Sequence, residues 1–393
     1  MISRTVQIGA GHVKQIGIGG FSPVSIQTMW KEGILVVLKE SKEYNKDALF
    51  SILERIAVLE SLGCDLLRFA VPDMESARAL NLIASKTSMP LVADIHFDYR
   101  LALECLKGDV AKIRINPGNI GKKENLVQVV EACKDKNVGI RIGVNFGSLP
   151  KDLLARLEEP GDKKSDTNED AKVFKVEDAL VEAAERECAV LENLGFYNYL
   201  VSMKASNVRE TIAANELFAS RNNIPLHLGV TEAGPMIPGI VKSTIAFTHL
   251  LSKGIGNTLR VSLSDSPENE VICAREILSE NGLRMGGVKI VSCPRCGRNG
   301  FDVHAFVNKW QNELLGLDKN LQIAVMGCVV NGPGEAKTAD LGITGAGDRV
   351  LIFKKGEIVH TIRSDESIKD ENERLKKMNS DADTLFRKEL YSF

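Results

Sequence analysis

Three of the eight cysteines are spaced for metal chemistry. Cys293 and Cys296 stand in a Cys-Pro-Arg-Cys-Gly-Arg run, and Cys328 follows after 31 intervening residues, opening Cys-Val-Val-Asn-Gly-Pro-Gly-Glu. A zinc ribbon would need a second Cys-x-x-Cys or a histidine pair, and neither follows. Three thiolates suit an iron–sulfur cluster, with a different group on the fourth iron. Glu335 is the acid nearest Cys328, and the turn that begins at Asn331 can fold the chain back to present it while offering amides to sulfur. A carboxylate is a harder and more exchangeable ligand than a thiolate. An iron so held is open to a substrate oxygen, which is the layout of a cluster that acts on a ligand rather than one that relays electrons. His304, close by in sequence, is read as a packed or solvated helix residue. Cys64, Cys105, Cys133, Cys188 and Cys273 lie singly in apolar, mostly helical segments and are read as buried thiols.

A second polar set sits on runs with strand alternation. Lys112, Arg114 and Asn116 share one face, as do Arg141 and Asn145, Asp94 and His96, Ser202 and Lys204, and Arg260 and Ser262. Arg68, Thr231 and Glu232 complete a ring near the C-terminal ends of their strands. Its cations are Arg68, Arg114, Arg141, Lys204 and Arg260, against Asp94 and Glu232, so the excess is positive. Guanidinium forks match phosphate oxygens, so the ring suits a small ligand with more than one phosphate-like charge. No Walker-type loop is present, which argues against nucleoside triphosphate chemistry. The Asn116-Pro-Gly-Asn-Ile-Gly121 loop is a further candidate for offering backbone amides to the same anion.

The elements that must position these residues alternate. Strand-like runs fall at 23–29, 65–71, 90–96, 111–116, 138–145, 199–204, 225–230 and 258–263, each followed by a helical pattern. After the first, Leu49, Ile52, Leu53, Ile56 and Leu59 recur at helical spacing and Gly63 sits where a C-terminal cap belongs. After the sixth, Ser206 reads as the N-cap of a helix carrying Val208, Ile212 and Leu217. Eight consecutive βα units predict a closed parallel (β/α)8 barrel of the TIM type over residues 1–284. An open doubly wound sheet would bring a glycine-rich loop after the first strand, and Gln27-Thr-Met-Trp is not one. A hairpin at 5–8 and 13–18 precedes the series. After Gly286-Gly287 the rhythm changes: strands at 288–292, 321–326, 340–344, 350–354 and 357–362 around a helix at 303–315 predict a smaller α+β domain, 285–393, which contains the cysteine trio. Residues 31–45 are too long and too apolar at the centre for a simple loop, 158–170 form a charged excursion, and 367–393 a charged terminal helix without evident chemistry.

The 393 residues are 44% apolar, enough for a large core. Fifty basic and 52 acidic side chains leave a net charge of −2, which argues against a nucleic-acid binder working through bulk positive charge. No apolar run approaches the roughly 18 residues of a membrane span. Residues 1–5 lead into a strand pattern without a basic-then-apolar signal, so a cytoplasmic chain is expected.

Taken together these runs resemble the 4-hydroxy-3-methylbut-2-enyl diphosphate synthase family of the non-mevalonate isoprenoid pathway. The resemblance extends over nearly the whole chain: Ser3-Arg-Thr-Val-Gln-Ile-Gly, Pro23-Val-Ser-Ile-Gln-Thr-Met, Ala93-Asp-Ile-His-Phe, Lys112-Ile-Arg-Ile-Asn-Pro-Gly-Asn, Arg141-Ile-Gly-Val-Asn, Ser202-Met-Lys-Ala-Ser, Gly229-Val-Thr-Glu-Ala-Gly, Arg260-Val-Ser-Leu-Ser and the two cysteine motifs. It implies reductive ring opening of 2-C-methyl-D-erythritol 2,4-cyclodiphosphate at a 4Fe-4S cluster, with ferredoxin or flavodoxin as electron donor. It also implies that Glu232 donates a proton, that the barrel arginines hold the diphosphate, and that the second domain is similar to the cluster domain of sulfite and nitrite reductases. One departure stands out: Gln27-Thr-Met-Trp-Lys-Glu-Gly33 replaces the family's usual Gln-Ser-Met-Thr continuation.

Two other readings compete. One is a transferase resembling dihydropteroate synthase with a structural metal in the second domain; the other is a non-enzymatic cluster scaffold or redox sensor, which has no use for the polar ring. As to assembly, the connection at 281–287 is short, and a barrel helix ends on the side away from the strand C-termini. The second domain is therefore expected to cover a partner's barrel in a homodimer, which the resemblance also implies.

Overall fold

In the computed structural model, residues 2–9, 11–38, 44–116, 118, 120–158, 174–294, 296, 301–328 and 337–393 are described. The chain divides into two compact units, Met1–Arg284 and Met285–Phe393.

The first unit begins with an antiparallel hairpin, β1 (Val6–Ile8) and β2 (Ile16–Ile18). Eight parallel strands follow: β3 (Ser25–Met29), β4 (Leu66–Ala70), β5 (Leu91–Asp94), β6 (Lys112–Ile115), β7 (Gly139–Asn145), β8 (Tyr199–Lys204), β9 (His227–Leu228) and β10 (Thr258–Leu259). Gln27 lies level with Leu66, Leu67 with Leu91, Val92 with Lys112 and Gly139, Arg141 with Leu200, Val201 with Leu226 through an isolated bridge, and His227 with Thr258 and Ser25. A circuit leaving β3 at Gln27 climbs six residues and lands on Ser25, two below its start. That stagger of eight closes an eight-stranded barrel of the TIM kind.

Helices α1 (Lys46–Leu62), α2 (Met74–Ala84), α3 (Tyr99–Cys105), α4 (Lys123–Lys136), α5 (Lys151–Glu158), α6 (Val176–Asn193), α7 (Val208–Arg221), α8 (Met236–Ser252) and α9 (Pro267–Glu280) connect the strands. Their ends are set locally. Asn45 caps α1 through Ala48 N–H at 3.2 Å, and Gly63 ends it at φ +108°, a left-handed conformation that suits glycine. The cap of α7 is Asn207 rather than Ser206, because its Oδ1 accepts from both Arg209 and Glu210 N–H. The 31–45 segment contains a 3-10 turn, Leu35–Val37, and a bridge between Leu38 and Tyr44; of the 158–170 excursion only Glu158 is among the described residues.

The circuit also fixes what points inward, since alternate strands contribute to successive layers of four. From the N-terminal end the layers are Leu66, Lys112, Leu200 and Thr258; Gln27, Val92, Arg141 and His227; Arg68, Arg114, Ser202 and Arg260; then Met29, Asp94, Gly143 and Gly229. The hairpin plugs the N-terminal end: Val6, Ile8 and Ile18, all buried, form one apolar cluster with Leu66, Val92 and Leu200. Each such fully buried side chain contributes roughly 1.5–3 kcal/mol.

The second unit is a five-stranded sheet, β11 (Val288–Ser292), β12 (Leu321–Met326), β13 (Leu341–Gly345), β14 (Arg349–Lys354) and β15 (Glu357–Arg363), in that spatial order. The first three run parallel, β14 runs antiparallel to β13, and β15 antiparallel to β14. Helices α10 (Val303–Leu315) and α11 (Glu371–Tyr391) pack on it through Phe306, Trp310, Met378, Phe386 and Leu390. The charged tail is thus a packing helix, tied by the Trp310 indole N–H to Asp383 Oδ1 at 2.8 Å. Among the described residues no helix is long and apolar enough to cross a membrane.

Candidate active site

The barrel interior holds the cations Lys112, Arg68, Arg114, Arg141, Arg260 and Lys204, all buried or nearly so. Two carboxylates answer them. Asp94 at the end of β5 takes Arg68 Nε at 3.5 Å on one oxygen and Arg114 Nη1 at 3.3 Å on the other. Burial pushes its carboxyl up, but Arg68, Arg114 and Arg141 outweigh that and hold it below the usual carboxylate range. His96, at the exposed rim, lies 3.1 Å from Arg114 through Nδ1 and 3.8 Å from Asp94 through Nε2.

The second carboxylate was not foreseen. Glu270, in the first turn of α9, has a fully buried side chain. Its oxygens accept the Thr28 hydroxyl at 2.7 Å, Arg260 Nε and Nη2 at 3.2 Å each, Leu263 N–H at 3.0 Å and Lys31 Nζ at 2.9 Å. Thr28 in β3 and Lys31 after it both belong to the atypical Gln27–Gly33 run, so that run is engaged in holding Arg260. Trp30 beside them stacks on Phe69 at 5.5 Å, and the Arg55 guanidinium lies 5.2 Å from its ring centroid.

Arg141 and Lys204 have no such partner. No acceptor meets either among the described residues, although Arg141 is 1% and Lys204 7% exposed. Burial first, then the neighbouring arginines, push Lys204 well below the ordinary lysine range. Space for the heads of Arg114 and Lys204 is made by two glycines. A Cβ on Gly143 would stand 2.6 Å from Arg114 Nε, and one on Gly229 2.7 Å from Lys204 Nζ. A glycine at an inward position of a barrel strand is a signal the sequence carried and the ring of charges overshadowed.

The remaining ring members lie at the rim. Asn116 is buried, and Asn145, Thr231 and Ser262 are partly exposed. The Asn116 Oδ1 accepts from Gly118 N–H at 3.2 Å, and Glu187 of α6 takes the same N–H at 2.8 Å, so this amide is already engaged. Pro117 and Asn119 lie outside the described residues. Glu232 is exposed, in a turn after β9, at φ +51°. A left-handed glutamate is a strained residue, of the kind that clusters at functional sites.

In the second unit, Cys293 follows β11 and Cys328 follows β12, neighbouring parallel strands, so both cysteines leave from the same end of the sheet. Cys293 N–H donates to Val325 O at 3.0 Å, and its side chain packs beside Ala324, Met326, Ala339 and Phe353. Cys296 is exposed, and Cys293 and Cys328 are partly so. The other five cysteines are buried, and burial pushes each thiol up to about 12. A thiolate is what binds iron. The five buried thiols are thereby disfavoured as ligands, and the more exposed trio fits a 4Fe-4S cluster in donor type. Asn331 and Glu335 lie outside the described residues, and among the described ones no three His, Cys, Asp or Glu side chains stand together as a metal-holding group.

Known families match both units. The GcpE TIM-barrel domain matches residues 5–275 and the GcpE protein C-terminal domain residues 289–377. A Treponema denticola protein named 4-hydroxy-3-methylbut-2-en-1-yl diphosphate synthase (flavodoxin) is 55% identical over 399 aligned positions, covering 100% of this chain and 98% of that protein. A Treponema pallidum protein of the same name is 53% identical, covering 99% and 92%. Among solved structures, a dihydropteroate synthase from Thermus thermophilus covers 70% of this chain and 98% of its own at 17% identity and a TM-score of 0.42, a likeness too slight to bear on function. On the strength of both domains and of relatives aligned from end to end, the chain belongs to the GcpE family.

Proposed function

We propose that this enzyme opens the ring of 2-C-methyl-D-erythritol 2,4-cyclodiphosphate reductively, giving 4-hydroxy-3-methylbut-2-enyl diphosphate. Counted on the neutral acids, two electrons and two protons enter and one oxygen leaves as water. The observation that carries the reading is the pair Arg141 and Lys204, buried cations inside the barrel that meet no acceptor among the described residues. An unpaired buried cation is expensive, and a diphosphate laid across both heads would repay it. Arg114 and Arg260, one layer above Arg141 and held in place by Asp94 and Glu270, complete the cradle. Asn116, Asn145, Thr231, Ser262, His96, Arg68 and Asp94 line or orient its edge, and Asn331 of the cysteine motif is proposed as a further substrate contact.

Cys293, Cys296 and Cys328, with Glu335 as the fourth ligand, would hold the 4Fe-4S cluster, which supplies electrons one at a time and an iron open to a substrate oxygen. Glu232 is the proton donor, a role supported by its left-handed backbone in the exposed turn after β9. Flavodoxin, named for the relatives, is the proposed donor of electrons, with ferredoxin as its functional equivalent. A cytoplasmic homodimer is the proposed form. It is supported by an apolar stripe on α8, where Ile237, Val241 and Ile245 are 75%, 51% and 54% exposed at helical spacing. Anaerobic turnover of the cyclodiphosphate with reduced flavodoxin or a chemical reductant tests the reading. Formation of the linear diphosphate supports it. An iron-loaded, reduced enzyme that leaves the cyclodiphosphate intact overturns it.

A further inference from the structure

The polar interior continues below the arginines. Lys112 stands two residues before Arg114 on β6, in the lowest layer, and is wholly buried. The hairpin cluster of Val6, Ile8 and Ile18 closes the barrel beneath it. Among the described residues its amine has no hydrogen-bond partner. In the layer above, both ring nitrogens of His227, both amide atoms of Gln27, and Nε and Nη1 of Arg141 are equally unpartnered.

The charged groups facing Lys112 are Arg141 from β7 and Arg68 from β4, and His227 from β9 is its titratable neighbour. The hairpin contributes none. Of the two interior carboxylates, Asp94 is engaged by Arg68 and Arg114, and Glu270 by Arg260 and Lys31. Lys112 is thus a buried amine among cations with no acid left to pair with. A guanidinium does not release its proton in a protein, whereas a buried lysine readily does. Burial, then Arg141 and Arg68, push Lys112 well below the ordinary lysine range.

We propose that Lys112 is an anion-linked proton carrier, uncharged while the barrel mouth is empty and protonated when a cyclic diphosphate occupies the Arg141 and Lys204 heads above it. The inference rests on the diphosphate reading of that site. Binding then takes up a proton, and by linkage affinity falls up to about tenfold per pH unit across the window in which the empty protein is deprotonated and the complex is not.

The test is calorimetric. Iron-loaded protein, without reductant, is titrated with 2-C-methyl-D-erythritol 2,4-cyclodiphosphate in two buffers of different ionisation heat. Each phosphorus of this ligand carries one acidic oxygen, so it lacks the second ionisation of a phosphomonoester near pH 6 that would blur the count. Wild type is expected to take up close to one proton per site, and Lys112→Met to lose most of that uptake while still binding. The melting temperature of empty Lys112→Met should equal or exceed wild type, because an unpaired buried amine has been removed; a Lys112 that held the fold together would lower it. Lys112→Gln serves as a second variant, and the wild-type count stands whether or not either variant folds. Binding without proton uptake, or equal uptake in a folded Lys112 variant, overturns the inference. No binding at all overturns the functional reading, and the inference with it.

Discussion

Replacing Glu270 by Gln probes the seam between the last and first barrel strands. One carboxylate there gathers Thr28 from β3, Lys31 from the loop after it, Arg260 just past β10, and the Leu263 amide. Breaking a buried, hydrogen-bonded ion pair by removing one partner costs about 3–5 kcal/mol. Gln keeps the shape and one acceptor oxygen, which brings the loss to about 2–3 kcal/mol. At about 2–4 °C per kcal/mol, the melting temperature should fall by about 4–12 °C. The pH dependence adds a sharper criterion. Burial pushes the Glu270 carboxyl up, but Arg260, Thr28 and the Leu263 amide outweigh it and leave it below the usual value. A depressed carboxylate contributes stability that is present above its unfolded pKa, about 4.3, and is lost as pH falls through the folded value. The gap between wild type and variant should therefore be full at pH 7 and shrink below about pH 4. Thermal denaturation followed by circular dichroism across that range measures it. In turnover, Arg260 loses its anchor, so KM for the cyclodiphosphate should rise more than kcat falls, and Glu270→Asp should restore part of it. An unchanged melting temperature, or a gap that does not vary with pH, would refute the argument.

Gly143→Ala and Gly229→Ala should fold normally, since the atoms a Cβ would meet are the movable heads of Arg114 and Lys204, yet weaken cyclodiphosphate binding roughly tenfold, the order of one charge-assisted contact; unchanged binding isotherms would show that neither head is placed by its glycine. Brief alkylation of the iron-free native protein at pH 8 should modify Cys293, Cys296 and Cys328 and spare the five cysteines held near 12, as read by peptide mass spectrometry, and rapid labelling of Cys64 or Cys133 would contradict their burial. Replacing Cys293, Cys296 or Cys328 by Ser should abolish iron content or turnover, while Glu335→Ala keeps some iron and loses turnover; a Cys328→Ser protein with full iron and normal rate would remove it from the ligand set. If each site of the proposed homodimer is completed by the partner's cysteine domain, mixing Glu232→Ala chains with Cys296→Ser chains should recover part of the activity each lacks, and verified heterodimers with no recovery would favour a site within one chain.

Much of this fold was legible because its signals are periodic. β11, β12 and α10 follow the sequence pattern to the residue, and every barrel strand lies within its expected run. β9 and β10 shrink to two residues each, because a hydrophobic pattern does not show where a hydrogen-bond ladder stops. Past His227–Leu228 and Thr258–Leu259 the chain turns into the rim that carries Thr231 and Ser262. Cations on alternate strand positions could be read directly, since parity alone decides that Arg114 and Arg141 point inward. Their partners could not. Glu270 sits on a helix, and the amphipathic pattern of α9 does not reveal that this acid turns under the barrel rim. The same holds for the atypical Gln27–Gly33 run, whose Thr28 and Lys31 make sense only once Glu270 lies beside them.

The layers also explain how a barrel can give its centre to charge and still fold. Only Leu66, Leu200 and Val92 fill the lower interior with hydrocarbon, and they do so against the hairpin. The outward residues, Ile113, Ile115, Ile142, Val144, Val261 and Leu263 among them, bury their side chains beneath the helices. Stability therefore comes from the hairpin below and the shell between strands and helices, where burial is apolar and needs no partner. The interior above Val92 is left to groups whose charges are satisfied in part by Asp94 and Glu270 and otherwise only by a ligand. Such a site destabilises the empty protein and binds its anion the more tightly for it, because each buried cation without an acceptor gains a partner when the anion arrives. Cyclodiphosphate should on this argument raise the melting temperature of wild type well beyond that of Arg141→Met, whose empty form should melt no lower than wild type.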